Sequence, residues 1–133
     1  MEHSIMEPSR KLDVLAKSVI GAAIEVHKHL GPGYLESVYE EALSIELQSI
    51  GVQHQRQSEV FVKYKDCNVG KSRLDIMVEN QLVVELKTVE NLLPVHKAQV
   101  ISYLKATGNT LGLLINFNVP VLKQGIQRVI YSK

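Results

Sequence analysis

The residues in this chain best suited to chemistry sit in two short apolar segments that carry charge in their middles. Arg73-Leu74-Asp75-Ile76-Met77-Val78 is followed by Glu79-Asn80-Gln81 and then by Leu82-Val83-Val84-Glu85-Leu86-Lys87. Taking an unpaired carboxylate out of water is costly, so carboxylates in such segments are expected to be paired or to hold a cation. Glu85 and Lys87 are separated by one residue and leave the same face of an extended strand. Asp75 lies on the segment before them. Two carboxylates and a lysine converging on one spot suit a hard divalent cation, Mg2+ or Mn2+, which takes oxygen ligands and keeps several waters.

That convergence makes a demand on the connection between the two strands. Directly opposed residues of an antiparallel pair share a face. Asp75 must therefore oppose Glu85, which requires a three-residue loop such as Glu79-Asn80-Gln81, a five-residue loop or a bulge. A regular two-residue turn at Asn80-Gln81 would set Asp75 against Leu86 and turn it to the other face. Asn80 or Gln81 is expected in a left-handed conformation, for which asparagine is the better suited.

Two further segments carry a recognisable spacing. Gly33-Tyr34-Leu35-Glu36-Ser37-Val38-Tyr39 reads G-x-x-E-x-x-Y, and Gln99-Val100-Ile101-Ser102-Tyr103 reads Q-x-x-x-Y. Together with Asp75 and the Glu85-x-Lys87 pair, they resemble the ordered motifs of the PD-(D/E)XK nuclease superfamily. The first is similar to the motif that names its GxxExxY family, the second to that of its lambda-exonuclease-like branch. Leu74 stands where the superfamily name has proline. The resemblance runs over about residues 12–120.

The resemblance implies a restriction-endonuclease-like α/β fold, a mixed sheet flanked by helices, and Mg2+- or Mn2+-dependent hydrolysis of nucleic acid, DNA before RNA. It implies that Asp75 and Glu85 ligate the ion, with the Leu86 carbonyl as a third ligand. Glu36 would reach the same ion from its helix, directly or through water. Lys87 would orient the attacking water and offset charge on the phosphate. Gln99 would hold Lys87 or a water at the ion. Tyr103, four residues on, shares a helix face with Gln99. Tyr39 would support Glu36 from beneath, His96 would line the cleft, and Lys97 and Lys105 would flank a phosphate path. The rival reading is a non-cleaving nucleic-acid-binding module, or a regulatory subunit, on the same fold.

Other residues have plainer readings. His27 and His29 are two apart on a helix and do not share a face, and His54 stands singly. Cys67 lies in a turn beside Asp66, which offers a thiol no activation. No Ser-His-Asp or Cys-His nucleophile pattern and no phosphate-cradling glycine loop is present.

The elements that must position these residues follow from periodicity. Leu12, Leu15, Ala16, Val19, Ile20, Ala23, Val26 and Leu30 recur at helical spacing, with Ser9 as cap and Gly31-Pro32 as stop. A second helix is expected from about Leu35 to Ile50, closed by Gly51, with Leu35, Val38 and Ala42 facing the core. Val60-Phe61-Val62, Val69 to Val78 and Leu82 to Lys87 read as strands, the first two joined by a turn at Lys65-Asp66-Cys67-Asn68. A third helix spans about Val95 to Ala106. Leu111 to Asn116 is a buried strand, and residues 127–131 a last, edge strand. The order α-α-β-β-β-α-β-β implies an antiparallel meander with a parallel strand added after the third helix.

Length and composition fit this picture. The 133 residues are expected to form one domain over residues 9–133, behind a loose leader at 1–8. No apolar run approaches the roughly 20 residues of a membrane span, and the N-terminal residues lack the basic flank and apolar stretch of a signal peptide. One cysteine excludes an internal disulfide and is the usage of a reducing cytoplasm. The net charge is only +1, but residues 82–133 hold six Lys/Arg against two Asp/Glu, room for a local phosphate-facing patch. So small a chain lacks a separate target-recognition domain and is expected to dimerise or to use a partner.

Overall fold

The structure, a computed structural model, describes residues 8–132. All but Pro8 of the expected leader lies outside the described residues. Eight main elements follow in the expected order: α1 (Arg10–Leu30), α2 (Glu36–Ser49), β1 (His54–Tyr64), β2 (Cys67–Val78), β3 (Leu82–Lys87), α3 (Pro94–Thr107), β4 (Leu111–Asn116) and β5 (Ile126–Ile130). A single 3-10 turn, Leu122–Gly125, precedes β5. The sheet runs β1-β2-β3-β4-β5, with β3 and β4 parallel and all other neighbours antiparallel.

The two sides of the sheet carry different helices. Leu12, Ala16, Val19, Ala23 and Val26 form the buried stripe of α1, and with Tyr39, Leu43 and Leu47 of α2 they cover Ile76, Val78, Val84, Leu113 and Ile115. On the other side Val100, Tyr103 and Leu104 of α3 cover Leu74, Met77, Val83 and Leu114. The central strands β3 and β4 are buried on both sides, which is why they read as unbroken apolar runs. Ser9 caps α1 as expected, its hydroxyl accepting from the Leu12 amide at 3.1 Å.

Three details depart from the sequence reading. Leu35 is 74% exposed and Val38 37% exposed, so neither faces the core. The inward stripe of α2 is instead Tyr39, Leu43 and Leu47, because the ring of Tyr39 stacks on Phe117 at 4.4 Å and fixes the helix's rotation. β1 begins at His54, not near Val60. Its first half is an edge strand, where polar residues are the rule and leave no apolar signature. The outer turn is also tighter than expected. Only Lys65 and Asp66 form it, both left-handed, and Cys67 and Asn68 already pair within β2.

Two devices fix the helices around the future site. Gly112 on β4 lets α3 approach closely: a Cβ built there would meet Val100 Cγ1 at 2.6 Å and the Val83 carbonyl oxygen at 3.3 Å. Gly112→Ala is expected to cost about 1–3 kcal/mol through overpacking, measurable by urea unfolding. Unchanged stability would mean that α3 can move outward at no cost. On the link between β3 and α3, the buried Asn116 side chain accepts from the Val89 amide at 3.0 Å and donates to the Val89 carbonyl at 2.8 Å.

Candidate active site

The register of the β2–β3 hairpin meets the demand set by the sequence. Ile76 pairs with Val84, Met77 with Val83 and Val78 with Leu82, which sets Asp75 opposite Glu85. The Val78 carbonyl accepts from the Gln81 amide at 2.9 Å across Glu79 and Asn80, both left-handed. Gln81 is thus one residue more than a two-residue turn needs, and that extra residue places Asp75 on the side of Glu85. Asn80 is left-handed as expected. Glu79 is too, which the sequence reading had not assigned.

Beyond Ile76 the carboxylates themselves bind the neighbouring strand. The Asp75 amide donates to Glu85 Oε1 at 3.2 Å, and the Leu86 amide donates to Asp75 Oδ2 at 2.8 Å. The two-residue alternation of β2 also slips here: Leu74 and Met77 both face α3, while Ile76 and Val78 face α1 and α2. Asp75 sits at that break.

Lys87 is held on its other flank. Its Nζ donates to Gln99 Oε1 at 3.0 Å and lies 3.9 Å from Glu85 Oε2. Gln99 Nε2 donates to the Tyr103 hydroxyl at 3.1 Å, which in turn donates to the Arg73 carbonyl at 3.2 Å, with Ser72 Oγ equally close. A hydrogen-bonded chain therefore runs from β3 through α3 to β2. The amine cannot swing away from Glu85 without breaking it.

The electrostatics are those of acids crowded together with too little positive charge. Burial, then the nearby charge of Asp75, pushes the Glu85 carboxyl up to about 8. Burial likewise raises Asp75, although the Leu86 amide and Lys87 draw it back. Glu36, exposed at the first turn of α2, is raised by partial burial and by Asp75 and lowered by Lys87 and the Thr88 amide. Glu36, Asp75 and Glu85 thus share one electrostatic neighbourhood, which Lys87 alone only partly neutralises.

A divalent cation would supply the charge that this set lacks, and carboxylate oxygens are the donors that a hard ion takes. Among the described residues, no three His, Cys, Asp or Glu side chains stand close enough to hold an ion by themselves. The fit is therefore to an ion that uses one or two carboxylates and keeps waters, the habit of Mg2+.

The structure gathers Glu36, Asp75, Glu85, Lys87, Gln99 and Tyr103 into one place, and Leu86 with them. Other sequence candidates have partners of their own. The Tyr39 hydroxyl does not hydrogen-bond Glu36. Its hydroxyl donates to the Gly31 carbonyl and accepts from the Tyr34 amide, closing the α1–α2 link. His96 caps α3, its Nδ1 accepting from the Leu93 amide at 2.9 Å, which ties that nitrogen to the helix end. Lys97 is exposed on α3, and Lys105 lies over the Tyr131 ring, 5.8 Å from its centroid.

Sequence reasoning missed Glu40, Arg56, Gln57 and Asn116. Glu40 is buried, and its charge bears on both Asp75 and Glu36. Its signal was available: Glu36 and Glu40 are like charges four apart on a helix, a pairing that is unfavourable without compensation.

The fold and this geometry agree with comparison to known families. Residues 13–129 match the family model of the PD-(D/E)XK nuclease superfamily, and the chain belongs to that superfamily. Divalent metals are the general requirement of its nucleases, and nucleic acid is their substrate class. Comparison with curated proteins finds no match. Among the described residues, no helix is long and apolar enough to cross a membrane.

Proposed function

We propose that this protein is a Mg2+-dependent nuclease that hydrolyses phosphodiester bonds, DNA before RNA. The observation that carries the reading is the joint placement of Asp75, Glu85 and Lys87, with Lys87 held by Gln99 at 3.0 Å. A purely structural ion pair has no use for a second carboxylate and an amide clamp on its lysine. The preference for DNA rests on the superfamily, as do the GxxExxY assignment and Mn2+ as a substitute ion.

In this reading Asp75, Glu85 and the Leu86 carbonyl would hold the ion, and Glu36 would reach it directly or through water. The bound cation supplies polarisation of the phosphate and a more acidic water. Lys87 donates toward the attacking water and the phosphate oxygens, where negative charge grows. Gln99 keeps the lysine aimed, and Tyr103 keeps Gln99 aimed. Lys97 and Lys105 offer charge to flanking phosphates. The low cysteine content fits a cytoplasmic protein, and a second copy of the chain or a partner would supply target recognition.

The test is incubation with single- and double-stranded DNA and RNA under Mg2+, Mn2+ or EDTA. Cleavage with either ion, absent in EDTA and in Glu85→Ala, is the expected result. Nucleic acid bound but left intact under every ion would establish the non-cleaving module instead.

A further inference from the structure

β1 is an edge strand whose pairing is interrupted at Gln57 and shifts register once more, between Val62 and Lys63. Its ladder with β2 pairs Arg56 with Ile76 and Ser58 with Leu74, and passes over Gln57, the residue opposite Asp75. Gln57 is left-handed, with φ of 54°. Left-handed geometry in the middle of a strand is unfavourable for a side chain of this type, and glycine or asparagine would adopt it more readily. Such outliers persist where surrounding interactions over-determine them, and they collect at functional sites.

The side chain shows what the distortion accomplishes. Gln57 Nε2 donates to Glu40 Oε1 at 2.8 Å, and Gln57 faces Asp75 across the ladder, close enough to draw that carboxyl's pKa down. The other oxygen of Glu40 accepts from Arg56 Nε at 2.9 Å, and Arg56 Nη1 donates to Glu41 at 2.7 Å. Glutamine is the suitable residue here. A primary amide has two N–H donors on one nitrogen and can serve two carboxylates at once, whereas an acid would add a further negative charge and a hydroxyl has only one donor. Asparagine would fit the backbone better, so the longer side chain points to reach as the requirement.

We infer that Gln57 is a positioning residue: its amide bridges Asp75 and Glu40, and so sets the orientation of Asp75 for the cation. The Arg56–Glu40–Gln57–Asp75 chain is the counterpart, on the β1 and α2 side, of the Lys87–Gln99–Tyr103 chain on the α3 side. Glu40 and Arg56 anchor the bridge and do not touch substrate. Partners of this kind fix the ligand's orientation and thereby the affinity of the site. This inference rests on the metal-dependent reading of the site above.

The test is Mn2+ titration by calorimetry of the full chain and of Gln57→Asn and Gln57→Gly, without nucleic acid. Both variants suit a left-handed backbone, so the fold is kept while the bridge is lost, through shortened reach in Gln57→Asn and through removal of the amide in Gln57→Gly. About tenfold weaker Mn2+ binding in both is expected, and affinity within twofold of the parent chain overturns the role. A second readout needs no metal. By NMR, both side-chain amide protons of Gln57 are expected to exchange slowly and to shift in Asp75→Asn and in Glu40→Gln. Exchange of either proton at the rate of a free glutamine overturns the bridge. A parent chain that takes up no Mn2+ at all overturns the metal reading, and the orienting role with it.

Discussion

Replacing Lys87 by methionine is expected to slow phosphodiester hydrolysis roughly a hundredfold to a thousandfold at saturating Mg2+, with ion binding retained. The side chain is 16% exposed and its amine is fixed between Gln99 and Glu85. An oriented donor of this kind, aimed at growing negative charge, contributes on the order of 10²–10³ in rate, because its orientation is already paid for by folding. Methionine keeps the length and the packing of the stem while removing the charge. It also removes a cation beside two carboxylates, so Mn2+ affinity is expected to hold or rise. Single-turnover cleavage of end-labelled DNA, alongside a Mn2+ titration, reads both. A rate within threefold of the parent chain would exclude Lys87 from the reaction. A loss of rate matched by a loss of ion binding would make it a structural partner of Glu85.

The second large effect concerns stability without metal. Glu85 has an ordinary carboxyl pKa of 4.5, and burial and Asp75 bring it to about 8 in the folded chain. Between those values the folded state holds a proton that the unfolded state has released, so stability falls as pH rises. The contribution is fully present below about pH 4.5 and is lost by pH 8, and at about 1.4 kcal/mol per pKa unit it amounts to up to about 5 kcal/mol. Asp75 and Glu36 shift in the same direction. In EDTA the urea midpoint is therefore expected to drop steadily from pH 5 to pH 8. Saturating Mg2+ should flatten or reverse that slope, since the ion binds the ionised carboxylates and its stabilisation grows with pH. Glu85→Gln should flatten it without any ion. A midpoint that does not vary with pH in EDTA would mean that the three carboxyls are not crowded as described.

Much of this was legible in the chain because the decisive constraints were local. The stripe of α1 repeats cleanly over five turns, and β3 and β4 are apolar without interruption because both their faces are covered. The odd length of the hairpin loop followed by parity once Asp75 and Glu85 were required to share a face. What escaped depended on distant contacts. The rotation of α2 is set by Tyr39 against Phe117, residues 78 positions apart, so Leu35 and Val38 looked like core residues and were not. The start of β1 has no apolar pattern, because its polar side chains face solvent or the acids of α2. Nothing local marks Gln57 as left-handed. The conformation answers to Glu40 and Asp75, neither of which is near it in sequence.

The extra residue Gln81 has a consequence for how this chain can vary in length. The outer turn at Lys65-Asp66 joins two exposed strand ends, and residues inserted there would only lengthen a hairpin in solvent. At Glu79-Asn80-Gln81 the count is itself part of the chemistry. Deleting one residue would leave a hairpin with a good two-residue turn and every apolar side chain still present, but with Asp75 displaced from Glu85. Unless a bulge restores the register, the acceptable lengths there differ by two, not by one, and the count matters more than which residues make the turn.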